Sequence, residues 1–241
     1  KEMASDDEGD LKTLLFSQAK FTHSGDSDGP TTNLGLGIRS RPDDHSMLGG
    51  NVFLDYRMTD YSTAHSRVGL GGEYLWKDFE LRNNWYIAST KIKDITIDGT
   101  DYRERVVPGW DVEVGYRLPD YPELGVFVRG FNWDYQQTQD NSGAEVSLNW
   151  QATPHVNVEA WLSNEISAID TKVNSALPGL DETFFGVRFK LTGNPVKFKK
   201  NNFKKNIITQ MSQPVRRRYD VLLERYARDS SSGFTNRVGG N

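Results

Sequence analysis

The sequence predicts an all-β fold: an antiparallel transmembrane β-barrel of 10–12 strands, with a C-terminal linker or short helix placed in its lumen. Three observations predict the barrel. Segments with apolar residues at every second position recur between Leu11 and Leu191, the period of a strand with one apolar and one polar face. The connections between these segments alternate in length, long then short. Aromatic residues gather near strand ends. No run approaches the ~18 apolar residues of a membrane helix, but a membrane barrel needs only alternate residues apolar. A hydrophobic content of 36% and a mean hydropathy of −0.64 are compatible with that economy.

The stretch Ser66–Ile87 shows the pattern most cleanly. Val68, Leu70, Gly72, Tyr74 and Trp76 share one face, and Arg67, Gly69, Gly71, Glu73 and Leu75 the other. Lys77-Asp78 turns the chain. Phe79, Leu81, Trp85 and Ile87 then alternate with Glu80, Arg82, Asn84 and Tyr86. A soluble sheet would read similarly, so the solvent is decided by the repetition.

In chain order, Leu11–Phe21 is the first strand, its faces not separated by the pattern. Thr22–Thr31 is a polar loop. Asn33–Arg39 alternates, with Leu34, Leu36 and Ile38 together, and a short Arg-Pro-Asp-Asp-His-Ser turn leads to Met47–Arg57. The loop Met58–His65 precedes the hairpin just described. Ser89–Pro108 is read as a long polar loop. Trp110–Leu118 alternates, Pro119–Glu123 turns, and Leu124–Tyr135 follows, where Phe127, Arg129 and Phe131 on one face suggest a bulge. Gln136–Gly143 is a loop, and Ala144–Trp150 and Val156–Leu162 flank a short Ala-Thr-Pro-His turn. Asn164–Asp181 is the last long loop, and Phe185–Leu191 the last strand. The tally is ten strands whose odd-numbered connections are long and even-numbered ones short. Short periplasmic turns and long external loops make that asymmetry in an outer-membrane barrel; a soluble sandwich, the alternative, has no reason to sort loops by parity. The N-terminus is then periplasmic.

The register places Tyr74, Trp76, Phe79, Tyr116, Trp150 and Phe189 at the periplasmic ends and Tyr56 and Trp110 at the external ends, as lipid-facing aromatic girdles. The inward set is charged: Asp55, Glu73, Glu80, Asp111, Glu113, Glu145 and Glu159 against Arg39, Arg67, Arg82, Arg117, Arg188 and Lys190. Such an interior must be wet or mutually paired.

Charge divides the chain near Thr192. Residues 192–241 carry net +8 while the whole chain is −4, which leaves −12 on residues 1–191. Three regions follow: a periplasmic N-terminal segment, 1–10; the barrel, 11–191; and a basic tail, 192–241. The tail holds Lys197, Lys199, Lys200, Lys204 and Lys205, then a stretch from Val215 that reads as a short helix, then a Ser-Ser-Ser-Gly linker at Ser230–Gly233. Opposite charge would hold this tail in the lumen; a solvated periplasmic tail, or one lying on anionic headgroups, is the alternative. No fold signature supports nucleic acid. The absence of cysteine excludes disulfides and thiolate metal sites and suits passage through a periplasm. No signal peptide is visible, so the N-terminus reads as mature or trimmed. No metal cluster, phosphate loop or nucleophile elbow is present, so no cofactor is expected.

The pieces MLGGNVFLDYRM, SRVGLGGEYLWKDFEL with NNWYI, DYRERVVPGWDVEVGYRLPDYPELG and RRRYDVLLER resemble the β-domain of inverse autotransporters, the intimin and invasin family. The resemblance implies a twelve-stranded outer-membrane barrel with outer-membrane lipid and the barrel-assembly machinery as partners. It further implies a pore linker at Arg217, Arg218, Tyr219 and Asp220, leading to a C-terminal surface adhesin. Two early strands of the family lack a counterpart here, which leaves three options: ten strands, pairing borrowed from Val196–Met211, or trimming. Val221–Ser232 replaces the family's extended linker with a stretch that looks helical, then flexible. With no passenger after Asn241 in this sequence, export and anchoring (type V secretion) are expected rather than adhesion itself. The alternative is a stand-alone structural barrel in a larger assembly. An omptin-like protease would need an Asp–His pair at the outer rim; His65 with Asp60, and His23 with Asp26 and Asp28, are the candidates, but solvated loop residues explain them as well. His45 and His155 read as turn residues. No enzyme activity is expected.

Overall fold

The computed structural model describes residues 11–23, 29–61, 65–137, 140–167, 183–228 and 235–238. The N-terminal segment 1–10, Asp26, Asp28 and the Ser230–Gly233 linker lie outside them.

Ten strands form one antiparallel meander: β1 (Thr13–His23), β2 (Pro30–Asp43), β3 (Ser46–Arg57), β4 (His65–Trp76), β5 (Phe79–Ala88), β8 (Gly109–Leu118), β9 (Tyr121–Trp133), β10 (Asn141–Thr153), β11 (Val156–Ser167) and β12 (Thr183–Leu191). Between β5 and β8, β6 (Lys93–Ile97) and β7 (Thr100–Val106) make a separate hairpin. After β12 come a helix, α1 (Phe203–Met211), and the strands β13 (Leu223–Ala227) and β14 (Thr235–Val238). The order β14-β13-β7-β6 gives a second, four-stranded sheet.

Two-residue turns join β2 to β3, β4 to β5, β8 to β9 and β10 to β11; the other connections within the meander are longer. At Lys77 the backbone enters the left-handed region (φ 54°) to make one of these turns. All short turns lie at one end of the sheet and all long loops at the other.

The sheet is rolled. Gln18 on β1, Asp55 on β3, Glu113 on β8 and Glu159 on β11 all bond to the stretch Val215–Tyr219. Strands sit about 4.8 Å apart, so in a flat sheet β1 and β11 would be on the order of 38 Å apart. No ladder joins β1 to β12 among the described residues, so the closed barrel of the sequence reading is not formed: the roll has two edges.

Its burial is inverted relative to a soluble protein. The concave face buries charge, with Asp55 and Arg67 at 0% exposure, while the convex face exposes Leu34, Leu36, Leu54, Leu70 and Val114. A continuous exposed apolar band is a liability in water and a requirement in lipid. Concave aromatics fit against glycines. A Cβ on Gly35 would lie 2.3 Å from the Phe53 ring, and one on Gly115 2.4 Å from Phe127.

Three local expectations are corrected. Gly125–Trp133 runs without a register shift in both of its ladders, so the bulge is not at Phe127–Phe131 but at the start of β9, where the β8 ladder shifts between Tyr121 and Gly125; Phe127, Arg129 and Phe131 share a face because the concave side accepts rings opposite glycine. The loop Ser89–Pro108 contains the β6–β7 hairpin. Its turn, Asp98-Gly99, has φ of 49° and 79°, the left-handed pair that Asp-Gly favours; that dipeptide was the available signal. Finally, the helix lies at Phe203–Met211, within the segment considered for strand pairing. Asn202 caps it, its side chain accepting from the Lys205 N–H at 3.0 Å, and Asn206, Ile207, Gln210 and Met211 bury one helical face.

Candidate functional site

The candidate site is the concave face together with the C-terminal segment that crosses it. The segment starts at the short-turn end. There α1 packs Ile207 and Met211 against Met47 and Leu75, with Leu11 and Leu14 alongside. Phe203 meets the His45 ring at 5.5 Å, and Lys200 pairs with Asp120 at 2.6 Å in the β8–β9 turn. Arg39 closes the helix. Its Nη1 donates to the carbonyls of Met211 and Gln213 at 2.7 and 2.5 Å, and its Nε and Nη2 bond Glu73 at 2.7 and 3.0 Å. A cation at a helix C-terminus answers both the unpaired carbonyls and the dipole.

From Ser212 to Leu222 the chain is irregular, with bends at Gln213, Arg217 and Asp220, and runs to the long-loop end. Arg216 bonds Glu113 at 2.7 and 3.1 Å and Glu159 at 2.9 Å, over the Phe127 ring. Arg217 grips Asp55 through two bonds, 3.0 and 2.7 Å, over Phe53. This paired, planar geometry is the one in which guanidinium and carboxylate interact most strongly. Arg67 also bonds Asp55, at 2.9 Å, and donates to the carbonyls of Arg218 and Asp220, both at 3.0 Å. Asn84 donates to the Arg216 carbonyl, Asn33 to that of Tyr219 and Arg57 to that of Val221. The Tyr86 hydroxyl accepts from the Arg218 N–H at 2.7 Å and donates to Asp111 at 2.6 Å. Gln18 accepts from the Val215 N–H and donates to the Tyr219 hydroxyl. Wall side chains therefore take the carbonyls that a helix would use. This is why the helix read from Val215 does not form and the chain stays irregular as far as β13.

The interior residues named from sequence divide into two groups. Asp55, Glu113, Glu159 and Arg67 bind the segment directly, and Arg39 binds its start at Met211 and Gln213. The others brace the wall. Glu80 pairs with Arg82 and, at 2.7 Å, with Arg117; Arg82 also reaches Glu113 at 3.4 Å and Glu73 at 3.6 Å. Glu145 meets Arg129 at 3.4 Å and Arg188 meets Glu159 at 3.0 Å. Asp111 acts through Tyr86 and Asn84. Arg217, Arg218, Tyr219 and Asp220 all lie on the segment's path, with Arg218 over the Trp133 ring at 5.6 Å. Arg216, Arg57, Tyr86 and Gln18 were not singled out. Arg216 was signalled by heading the Arg-Arg-Arg run; the rest carry no local motif, because they act on backbone groups remote in sequence.

Tyr74, Trp76, Phe79, Tyr116, Trp150 and Phe189 stand on the convex face toward the short-turn end, and Trp110 toward the long-loop end, while Tyr56 is half-buried. Trp76–Phe79 and Phe79–Tyr116 rings are 6.5 and 4.8 Å apart. His65, considered for a rim pair, is wholly buried, 2.7 Å from Glu104. His155 bonds the Thr192 carbonyl.

Comparison with known proteins gives a family model, "Inverse autotransporter, beta-domain", matching residues 1–219. Intimin of Escherichia coli O127:H6 is 36% identical over 138 residues, 52% of this chain and 14% of that protein. Intimin of Citrobacter freundii is 40% identical over 96 residues, covering 39% of this chain and 10% of that protein. The inverse autotransporter adhesin YeeJ of E. coli K12 is 40% identical over 80 residues, 33% of this chain and 3% of that protein. The chain thus spans a small part of the length of these relatives. A chain solved in work on in-meso crystallisation of membrane proteins superposes with a TM-score of 0.69 over 90% of this chain and 88% of that one, at 22% identity, a likeness of fold.

Proposed function

Because the chain belongs to the inverse autotransporter β-domain family, a family of adhesin-related domains of the bacterial outer membrane, we propose that it is the anchor and conduit through which a C-terminal surface segment leaves the cell. The short turns, α1 and the N-terminus face the periplasm and the long loops face outward. The rolled sheet is closed in the bilayer, edge to edge or by further strands, since an open edge in hydrocarbon would leave N–H and C=O groups unpaired at several kcal/mol each.

One observation carries the reading. Residues 212–222 enter beside α1 at the short-turn end and exit at the long-loop end, held in a non-helical path by Asp55, Glu113, Glu159 and Arg67. A chain crossing the full sheet inside a ring of paired charges is a conduit with its cargo in place. The axial segment lies between Gln18, Asp55, Glu113 and Glu159 of the rolled sheet, and an occupied interior disfavours a diffusion channel.

The test is an epitope placed after Asn241. Antibody labelling of intact cells is the expected result. Labelling only after permeabilisation would overturn the export reading and leave a structural barrel.

A further inference from the structure

We propose that the β6–β7 hairpin is a strand-acceptor site: β7 captures Leu223–Ala227 by β-augmentation as the chain leaves the conduit and holds it against slipping back. The inference rests on the outward direction proposed above and adds a retention device to it.

The hairpin has its own closed turn at Asp98-Gly99 and pairs internally from Lys93↔Glu104 to Ile97↔Thr100. It therefore presents β7 as a preformed edge, and main-chain pairing to such an edge is a general mode of peptide capture. β13 occupies it in the register Leu223↔Val106, Glu224↔Arg105, Arg225↔Glu104, Tyr226↔Arg103 and Ala227↔Tyr102. The backbone bonds Val107 N–H to Leu222 C=O (2.9 Å) and Arg228 N–H to Asp101 C=O (3.1 Å) extend the grip at both ends.

Charge sets the register. Arg225 Nε bonds Glu104 at 3.1 Å on one face of the small sheet, and Arg105 Nε bonds Glu224 at 2.6 Å on the other. A slip of one residue in one direction sets Arg225 opposite Arg105; in the other it sets Glu224 opposite Glu104. Like charges directly opposite destabilise a ladder. A slip of two residues takes Arg225 away from Glu104, a carboxylate that is fully buried.

Each face is also tied to a different long loop. Glu104 bonds Thr59 and His65 at 3.1 and 2.7 Å, on the β3–β4 side. Glu224 accepts from the Gln136 and Gln137 N–H groups at 3.1 and 2.8 Å, and Arg105 donates to the Asp134 carbonyl, all on the β9–β10 side. Val221 and Leu223 close against Val106, and Leu222 against Val107, Tyr86, Phe131, Trp133 and Tyr135. Residues 221–224 are thus buried only at the long-loop end, after the chain has crossed. Release would require breaking a ladder, two buried ion pairs and two apolar contacts together, in addition to the ion pairs and ring contacts that hold the axial segment.

The experiment uses the full chain with the epitope after Asn241. Glu224→Arg/Arg225→Glu sets like charges opposite both Arg105 and Glu104. The expected result is a sheet that assembles normally, by heat-modifiable mobility, with steady-state surface epitope reduced about tenfold. Adding Tyr102→Cys/Ala227→Cys, in a chain without other cysteines, should restore it under oxidising conditions. Unchanged surface epitope in the assembled double variant would overturn the latch. If the wild-type epitope never reaches the surface, the outward reading fails instead. The latch then stands or falls on the wild-type background by oxidation: a disulfide from Tyr102→Cys/Ala227→Cys at least ten times faster than from Tyr102→Cys/Arg225→Cys is expected, and equal rates would refute in-register capture. The same comparison decides the matter if the charge variant does not assemble.

Discussion

The Asp55–Arg217 pair gives the sharpest test of what holds the axial segment. Arg217 is 1% exposed at its side chain and Asp55 0%, and Asp55 also binds Arg67. The two partners are therefore not equivalent. Removing Arg217 leaves Asp55 still paired. Removing Asp55 leaves two buried guanidinium groups without their shared carboxylate. Arg67 stays in the wall whether or not the segment is present, so its loss appears in both states. The penalty on Arg217, and its repulsion by Arg67, are relieved when the segment leaves. Breaking a buried pair by deleting one partner costs about 3–5 kcal/mol, whereas an apolar replacement of similar volume costs far less. Asp55→Ala should therefore favour release of residues 213–222 by about 3 kcal/mol or more, and Arg217→Met by about 1 kcal/mol, because methionine keeps the contact with Phe53. The assay is hydrogen–deuterium exchange of the 213–222 peptide in lipid nanodiscs. Exchange should rise on the order of 100-fold for Asp55→Ala and less than about tenfold for Arg217→Met. Equal effects, or a larger one for Arg217→Met, would refute the shared-carboxylate argument.

Other outcomes follow from the same geometry. Leu70, midway along β4 on the convex face, should tolerate arginine poorly, at about 2–4 kcal/mol, while Trp76→Arg near the strand end should cost under about 1 kcal/mol; urea unfolding in vesicles measures both, and equal costs would contradict a lipid-facing convex side. Gly35→Ala places a Cβ 2.3 Å from the Phe53 ring, so it should destabilise by about 1–3 kcal/mol, with partial rescue by Phe53→Leu in the thermal shift of the folded band. Arg39→Ala removes the donor to the Met211 and Gln213 carbonyls and leaves Glu73 without its 2.7 Å partner. Exchange of α1 amides should rise by a factor that corresponds to about 1.5–3 kcal/mol, while β2 and β3 amides stay protected; no change at α1 would mean that its apolar contacts alone seat it.

By itself the sequence determined the ten strands of the meander, their short turns and, in all but the first strand, the sorting of residues between its two faces. These follow from local rules: a side-chain period of two, turn residues and aromatic placement. The apolar positions Leu34, Leu36, Leu70 and Val114 and the charged positions Asp55, Glu80 and Glu113 were legible for that reason. The basic tail was legible as a partner for an acidic interior by net charge alone. Period two alone is the same in a soluble sheet and in an inverted one; the parity of loop lengths pointed the apolar face outward, and burial of Asp55 beside exposure of Leu36 agrees with that direction. Only the tertiary structure decided the tail. From Val215 the local pattern favours a helix, yet Arg67, Asn33, Asn84 and Arg57, from four strands, take the carbonyls that a helix would use. Beyond the channel, β7 takes Leu223–Ala227 as a strand, through partners more than a hundred residues away that no local reading of either segment could pair.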